Sequence, residues 1–253
     1  MAVLEGKTAI ITGGASGIGF GIAQAFAEAG AQLFLTDVKP EALCGAACAL
    51  EKKYGARVHS AVADGSDEEA VKRAVGEAAE HFGHIDVVIN NAQASKSGLA
   101  LEAHTRADFA LAIDTGLYAT FYYMKHAFPY LKASKGCVIN FASGAGMAGG
   151  VGQASYAAAK EGIRALSRVA AREWGEHGVN VNVVCPLAMT PSLEKFKREY
   201  PERYADNIKN IPLGRFGDPK EDIGRVCVFL ASDAASYISG ETISVQGGSG
   251  LRP

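Results

Sequence analysis

The chain has 253 residues, 48% of them hydrophobic, and a formal charge of −2, so it is long enough to bury one large α/β core and has no electrostatic drive toward nucleic acid or an anionic membrane surface. No apolar run reaches the roughly 18–20 residues of a membrane span, and the N-terminus does not read as a signal peptide. Five cysteines, at 44, 48, 137, 185 and 227, form no metal pattern and read as reduced thiols of a cytoplasmic protein; the six scattered histidines do not read as metal ligands either.

No repeat, low-complexity tract or linker divides the sequence, which reads as a single domain over 1–253. Thr8 to Ile11 is a short apolar strand. Thr12 to Gly19 follows as Thr-Gly-Gly-Ala-Ser-Gly-Ile-Gly, and Phe20 to Ala29 has helical spacing. Leu33 to Thr36 is a second strand and Pro40 to Tyr54 a helix. Val58 to Ala63 is a third strand, followed by a helix from Asp67 to Phe82. Ile85 to Asn90 is a fourth strand, followed by one long helix from Ala107 to Leu131. Cys137 to Ala142 is a fifth strand, Gln153 to Trp174 a helix, and Val179 to Val184 a sixth strand. Continuous apolar strands alternating with amphipathic helices predict a doubly wound parallel β-sheet of Rossmann type, with helices on both faces.

Ligands of such sheets sit beyond the carboxyl ends of the strands, so the residues after each strand carry the functional reading. After the first, Gly13, Gly17 and Gly19 permit φ > 0 and close backbone approach, and the following helix offers unpaired N–H groups to a pyrophosphate. The spacing is Gly-x-x-x-Gly-x-Gly; the alternative is a glycine turn without a ligand. After the second, Asp37 lies 18 residues past Gly19, placed to accept bonds from a ribose and to repel a 2′-phosphate. Asp64, after the third, is placed either at an adenine edge or as a cap of the next helix. After the fourth come Asn90-Asn91-Ala92-Gln93, whose paired amides suit tying strand ends together. After the fifth comes Ser143, and 13 residues later Tyr156-Ala157-Ala158-Ala159-Lys160 puts Tyr and Lys on one helix face.

In the order and spacing of Thr12-Gly13, Gly17-Ile18-Gly19, Asp37, Asp64, Asn90-Asn91-Ala92, Ser143, Tyr156 and Lys160, residues 5 to 248 resemble the short-chain dehydrogenases/reductases. The resemblance implies an NAD-dependent oxidoreductase acting on a secondary alcohol or ketone, a homotetramer or else a homodimer, with no nucleic-acid or membrane partner. It implies that Gly13, Ser16, Gly17, Ile18 and Gly19 hold pyrophosphate, and that Asp37, Val38, Ala63 and Asp64 hold adenosine. Asn90, Ala92, Tyr156, Lys160, Pro186 and Thr190 would line the nicotinamide half. Gln93, Ser143, Ala145, Gln153 and Tyr156 would meet substrate. The chain departs from the family pattern at Gln93, where Gly is usual, at Asp114, where an active-site Asn is usual, at Leu187 after Pro186, and at Gln246 before Gly-Gly. Thr190 comes one residue earlier than is typical.

The resemblance makes Tyr156 the acid/base, Ser143 the group that orients the substrate oxygen, and Asp114 part of a proton relay. A lysine ammonium about 4 Å from a phenolate interacts by roughly 4 kcal/mol at an effective dielectric near 20, so Lys160 is expected to pull the Tyr156 pKa down. Gly144 to Gly152 reads as a flexible loop carrying Met147 and Val151. Leu193, Phe196, Tyr200, Tyr204 and Ile208 are spaced for a helical lid over about 187–215, or for a helix packed on the core or on a subunit. These features favour a moderately bulky, apolar substrate of alicyclic or hydroxysteroid-like type. The other reading left open is a cofactor-binding redox sensor or assembly protein with little turnover.

Overall fold

The structure, a computed structural model, describes residues 2–250. Its strands are β1 Thr8–Thr12, β2 Gln32–Asp37, β3 Val58–Val62, β4 Val87–Asn90, β5 Cys137–Phe141, β6 Asn180–Pro186 and β7 Thr242–Val245. They form one parallel sheet in the order β3-β2-β1-β4-β5-β6-β7. The helices are α1 Gly17–Glu28, α2 Pro40–Tyr54, α3 Glu68–Phe82, α4 Arg106–Ala112, α5 Ala119–Ser134, α6 Gly144–Ala148, α7 Ala154–Trp174, α8 Pro191–Glu199, α9 Pro201–Lys209 and α10 Arg225–Ala231. Among the described residues, no helix is long and apolar enough to cross a membrane.

Successive residues of a strand point to opposite faces, and both faces here are apolar. Ala9, Ile11, Leu33, Leu35, Val87 and Ile89 pack with Ile22 and Phe26 of α1, Leu43 and Leu50 of α2, and Leu230 of α10. Their neighbours Ile10, Phe34, Val88 and Val138 pack the other way, against Val71 and Val75 of α3 and Tyr123, Met124 and Leu131 of α5. Each Val, Leu, Ile, Phe or Met among them, fully buried, contributes about 1.5–3 kcal/mol. The strand order turns back between β1 and β4, which opens a crevice at the carboxyl ends of those two strands beside the glycine turn.

The long helix read over 107–131 is present, with a π-helical turn set into it. α4 ends at Ala112, a π-helical turn spans Ile113–Tyr118, and α5 runs on to Ser134. The turn packs against α7, where a Cβ at Gly162 would fall 2.9 Å from Leu117 Cδ2. Gly144 to Gly152 is not wholly a loop, because Ser143 caps the short α6. Strand β7 and helix α10 lie beyond the six strands read from the sequence. The segment expected as a lid or as a packed helix is two helices, split at Tyr200–Pro201.

Candidate active site

The turn after β1 is built from close backbone contacts. Gly13 has φ +65, and a Cβ there would fall 2.9 Å from Asn91 Nδ2; a Cβ at Gly19 would fall 2.2 Å from the Gly13 carbonyl oxygen. Thr12 Oγ1 accepts the backbone N–H groups of Asn91 and Ala92, each at 3.0 Å, and Asn91 Nδ2 donates to the Thr12 carbonyl at 3.0 Å. The turns after β1 and β4 are thereby stapled together. Ser16 precedes α1 in extended backbone and makes no side-chain cap, and the first turn carries no acidic residue. The leading amides of α1 are left for an anion.

The Asp37 carboxylate accepts the N–H groups of Ala15 at 3.3 Å and Lys39 at 3.2 Å, and so ties the end of β2 to the glycine turn. A cavity of about 310 Å³ opens beside it, lined by Gly13, Ser16, Asp37, Val38, Ala63, Asp64, Asn90, Ala92 and Gln93 among others. Asp64 Oδ1 accepts from both the backbone and the hydroxyl of Ser66, while Asp67 caps α3; the cap and the cavity wall are thus different carboxylates. Ile18 is half-buried against the core, and Gly17, at φ +57, faces Pro191 and the Thr190 methyl. Open amides, a cradle that side chains would fill and a carboxylate on an adjoining cavity together fit a dinucleotide.

On α7 the residues Ser155, Ala159, Lys160, Ile163, Ser167 and Ala170 are buried, which is the spacing of one helix face. Lys160 lies on it at 5% exposure, and its Nζ donates to the Phe141 carbonyl at 2.7 Å. Burial pulls its pKa down to about 8. Tyr156 precedes it by one turn, with Nζ 5.6 Å from the centre of the phenol ring. Burial raises the Tyr156 pKa; a hydrogen bond with the Ser143 hydroxyl opposes this, and the Cys185 sulfur adds to the rise. The phenol is therefore shifted up rather than down. The Lys160 ammonium is directed to the Phe141 carbonyl, and desolvation is the largest influence on the phenol. Ser143 Oγ also accepts the Ala145 N–H at 3.2 Å. Ser143, Tyr156 and Lys160 thus come together at the carboxyl end of β5.

The family model described as enoyl-(acyl carrier protein) reductase matches residues 13–250. A 12alpha-hydroxysteroid dehydrogenase of a Clostridium sp. is 56% identical over the whole of both chains. The chain belongs to the short-chain dehydrogenase/reductase family. It is an oxidoreductase acting on CH–OH donors, and it belongs with proteins that use nicotinamide cofactors. A 3-oxoacyl-acyl-carrier-protein reductase of Chlamydia muridarum is 37% identical, over 98% of each chain. The crystal structure of levodione reductase superposes with a TM-score of 0.91 at 33% identity, covering 97% of this chain and 98% of that one.

The positions that depart from the family pattern have specific surroundings. Gln93 Nε2 reaches the Ala112 carbonyl at 3.5 Å, its Oε1 is buried without a partner, and only a glycine at 116 leaves room for the amide. Asp114 is half-buried in the π-helical turn, and its backbone carbonyl accepts from Ala119. The local ties of that turn belong to Thr115, whose hydroxyl donates to Leu111 and Ala94 and accepts the Ala94 N–H. Thr190 caps α8 through the Leu193 N–H at 3.2 Å, so its hydroxyl is turned to the lid helix. Gln153 Oε1 accepts from Ser97 Oγ at 3.0 Å, and the Gly98 N–H donates to the Gly152 carbonyl at 2.8 Å, which joins the segments after β4 and α6. Met147 leans onto Ala142, Val183 and Cys185 rather than outward, and Val151 is fully exposed.

The sequence reading assigned no site role to three further groups. The Thr12 hydroxyl is legible only as a polar residue ending an apolar strand. The Phe141 carbonyl is a backbone atom and leaves no mark in the sequence. Gln246 follows Thr242-Ile243-Ser244-Val245, a four-residue alternation before Gly-Gly that is itself a strand-and-turn signal.

Proposed function

We propose that the chain is an NAD-dependent secondary-alcohol dehydrogenase and ketone reductase, acting on a moderately bulky, apolar alicyclic substrate of the hydroxysteroid class. The observation that carries this reading is the meeting of Ser143, Tyr156 and Lys160 at the carboxyl end of β5, on the same edge of the parallel sheet as the glycine cradle after β1. The full-length relative at 56% identity, named for 12alpha-hydroxysteroids, supports the substrate class. Gly13, Ser16, Gly17, Ile18 and Gly19 would hold pyrophosphate. Asp37, Val38, Ala63 and Asp64 would hold adenosine, and Asn90, Ala92, Pro186 and Thr190 would line the nicotinamide half. The bound nicotinamide supplies the two-electron exchange with the carbinol carbon. The chain manages the proton: in oxidation Tyr156 Oη takes it from the alcohol, and Ser143 Oγ holds the substrate oxygen. The Lys160 ammonium would hold the ribose hydroxyls of the nicotinamide half and would favour the phenolate. Gln93, Ala145 and Gln153 face the substrate. A panel of alcohols and ketones, from cyclohexanol to hydroxysteroids, run with NAD(H) and NADP(H) and followed at the NADH absorbance band, tests this. Silence toward every compound would refute the reading.

Cofactor choice rests on Asp37. NAD(H) is expected to be preferred, and Asp37→Ser, which removes a charge facing a 2′-phosphate, should narrow the NAD/NADP ratio of kcat/KM by about tenfold or more. A wild-type enzyme that is faster and tighter-binding with NADPH would overturn the assignment.

Asp114, on the turn that packs against α7, is assigned to the proton relay through Lys160. An ionised carboxylate there would hold the lysine protonated and cancel part of its effect on the phenol. Asp114→Asn is then expected to shift the pH–rate profile of alcohol oxidation toward lower pH, and an unmoved profile would place Asp114 outside the relay.

Residues 187–215 are read as a lid on the single catalytic domain. Tyr204 stacks on Phe216 at 5.4 Å and roots it, while no residue of α8 is buried and Tyr200 is exposed. Leu111, Tyr118, Phe121 and Tyr130 on α4, α5 and the turn between them, with Val169 on α7, leave apolar surface exposed, which supports a homotetramer with a dimer as the smaller alternative. Light scattering should give the mass of four chains or of two, and a stable, active monomer at micromolar concentration would refute this.

A further inference from the structure

Gln246 follows β7 at the carboxyl edge of the sheet, and none of the roles above uses it. Its Nε2 donates to the Cys185 carbonyl at 3.3 Å, one residue before Pro186. Its amide also fills the space over two glycines. A Cβ at Gly144 would fall 2.5 Å from both Nε2 and Oε1, and one at Gly250 would fall 2.6 Å from Oε1. Gly144 is the first residue of α6, directly after Ser143. One side chain therefore touches the end of β6 and the turn that presents the Ser143 hydroxyl.

The backbone around Gln246 is fixed as well. Its carbonyl accepts both the N–H of Ser249 at 3.1 Å and the hydroxyl of Ser249 at 2.7 Å. The Gly247 carbonyl accepts the Leu213 N–H at 3.0 Å, and Gly247 and Gly248 run so close to Ile211 and Pro212 that a Cβ at either would fall within 2.9 Å of them. The root of the lid segment rests on the same few residues that hold Gln246.

We propose that Gln246 is a positioning residue for the Ser143 turn. Its amide, anchored on the Cys185 carbonyl, is the backstop against which Gly144 and α6 rest, and the donor chemistry at Nε2 decides whether the backstop holds. An amide N–H suits a carbonyl. A carboxylate in its place sets two acceptors against each other, unless it is protonated and donates. Displacing an oriented group by about 1 Å can lower turnover on the order of 100-fold, so a small shift of this turn reaches the chemistry. The inference rests on the reading of Ser143 as the holder of the substrate oxygen.

The test compares wild type with Gln246→Met, Gln246→Ala and Gln246→Glu. Three quantities are measured: reduction of cyclohexanone and bulkier cyclic ketones with NADH, NADH binding by fluorescence, and hydrogen exchange at the amides of 145–148. The Met and Ala variants are expected to lose kcat by about tenfold or more at every pH, to raise KM for the ketone, and to exchange those amides faster, with NADH affinity within about twofold of wild type. The Glu variant is expected to be impaired at neutral pH and to recover, relative to wild type, as the pH falls through the glutamic acid range near 4–5. Unchanged turnover and unchanged exchange in the Met and Ala variants would overturn the proposal. So would a Glu variant whose pH profile parallels that of wild type. A wild type silent on every ketone would sink the alcohol/ketone reading instead, and the exchange comparison would still decide Gln246.

Discussion

Tyr156→Phe is expected to lower kcat by about 10²–10⁴-fold while NADH binding stays within about twofold of wild type. The substitution keeps the ring and removes the oxygen proposed to exchange a proton with substrate. It leaves little structural debt: Ser143 Oγ loses its phenol partner but still accepts the Ala145 N–H at 3.2 Å, and Lys160 keeps its bond to the Phe141 carbonyl at 2.7 Å. The pH dependence adds a second signature. Burial raises the phenol pKa, so the base needed for alcohol oxidation becomes available only as the pH rises, and oxidation by the wild type should climb with pH. The residual rate of the variant should lack that limb. Stopped-flow turnover and a fluorescence titration of NADH check both parts, and near-normal turnover would sink the mechanism.

Much of this site was legible in the sequence because its parts follow strands directly. Ser143 lies two residues past β5, Asp37 ends β2, and the glycine turn follows β1; each strand announces itself as an apolar run, so these residues are placed by counting. Tyr156 and Lys160 were legible for the matching reason that i and i+4 share a helix face. The π-helical turn at Ile113–Tyr118 was not legible: its residues have no helix-breaking proline, and the turn is held by contacts with Gln93 and α7 that are distant in sequence. The Lys160 partner was not legible either, because a backbone carbonyl looks alike in every residue. β7 was lost for another reason. Thr242–Val245 alternates apolar and polar residues over only four positions, so its signal is an alternation before Gly-Gly and not the continuous apolar run by which β1 and β5 were read.

Lys160→Met is expected to damage both turnover and NADH binding, because the ammonium is proposed to serve both the phenol and the ribose hydroxyls; that double loss separates it from Tyr156→Phe. Its effect on stability should run the other way. Lys160 is 5% exposed, and burial brings its pKa from 10.5 down to about 8. The folded chain therefore gives up this proton near pH 8 and the unfolded chain near 10.5. Between those values the unfolded state binds more protons, so this group makes stability rise with pH across the window. Below pH 8 the ammonium is charged in both states and the burial penalty is felt in full, roughly 3 kcal/mol at 1.36 kcal/mol per unit. Lys160→Met should thus leave the fold as stable as wild type, or more stable, at pH 7. Its advantage should shrink as the pH approaches 10, where the wild-type amine is neutral as well. Denaturant unfolding of both proteins at the two pH values measures the difference directly. A wild type that loses stability relative to Lys160→Met between pH 8 and 10 would contradict the buried-ammonium account. A charge that the fold would be no worse without, held at the carboxyl end of β5 beside Tyr156, is the pattern of a residue retained for chemistry rather than for packing.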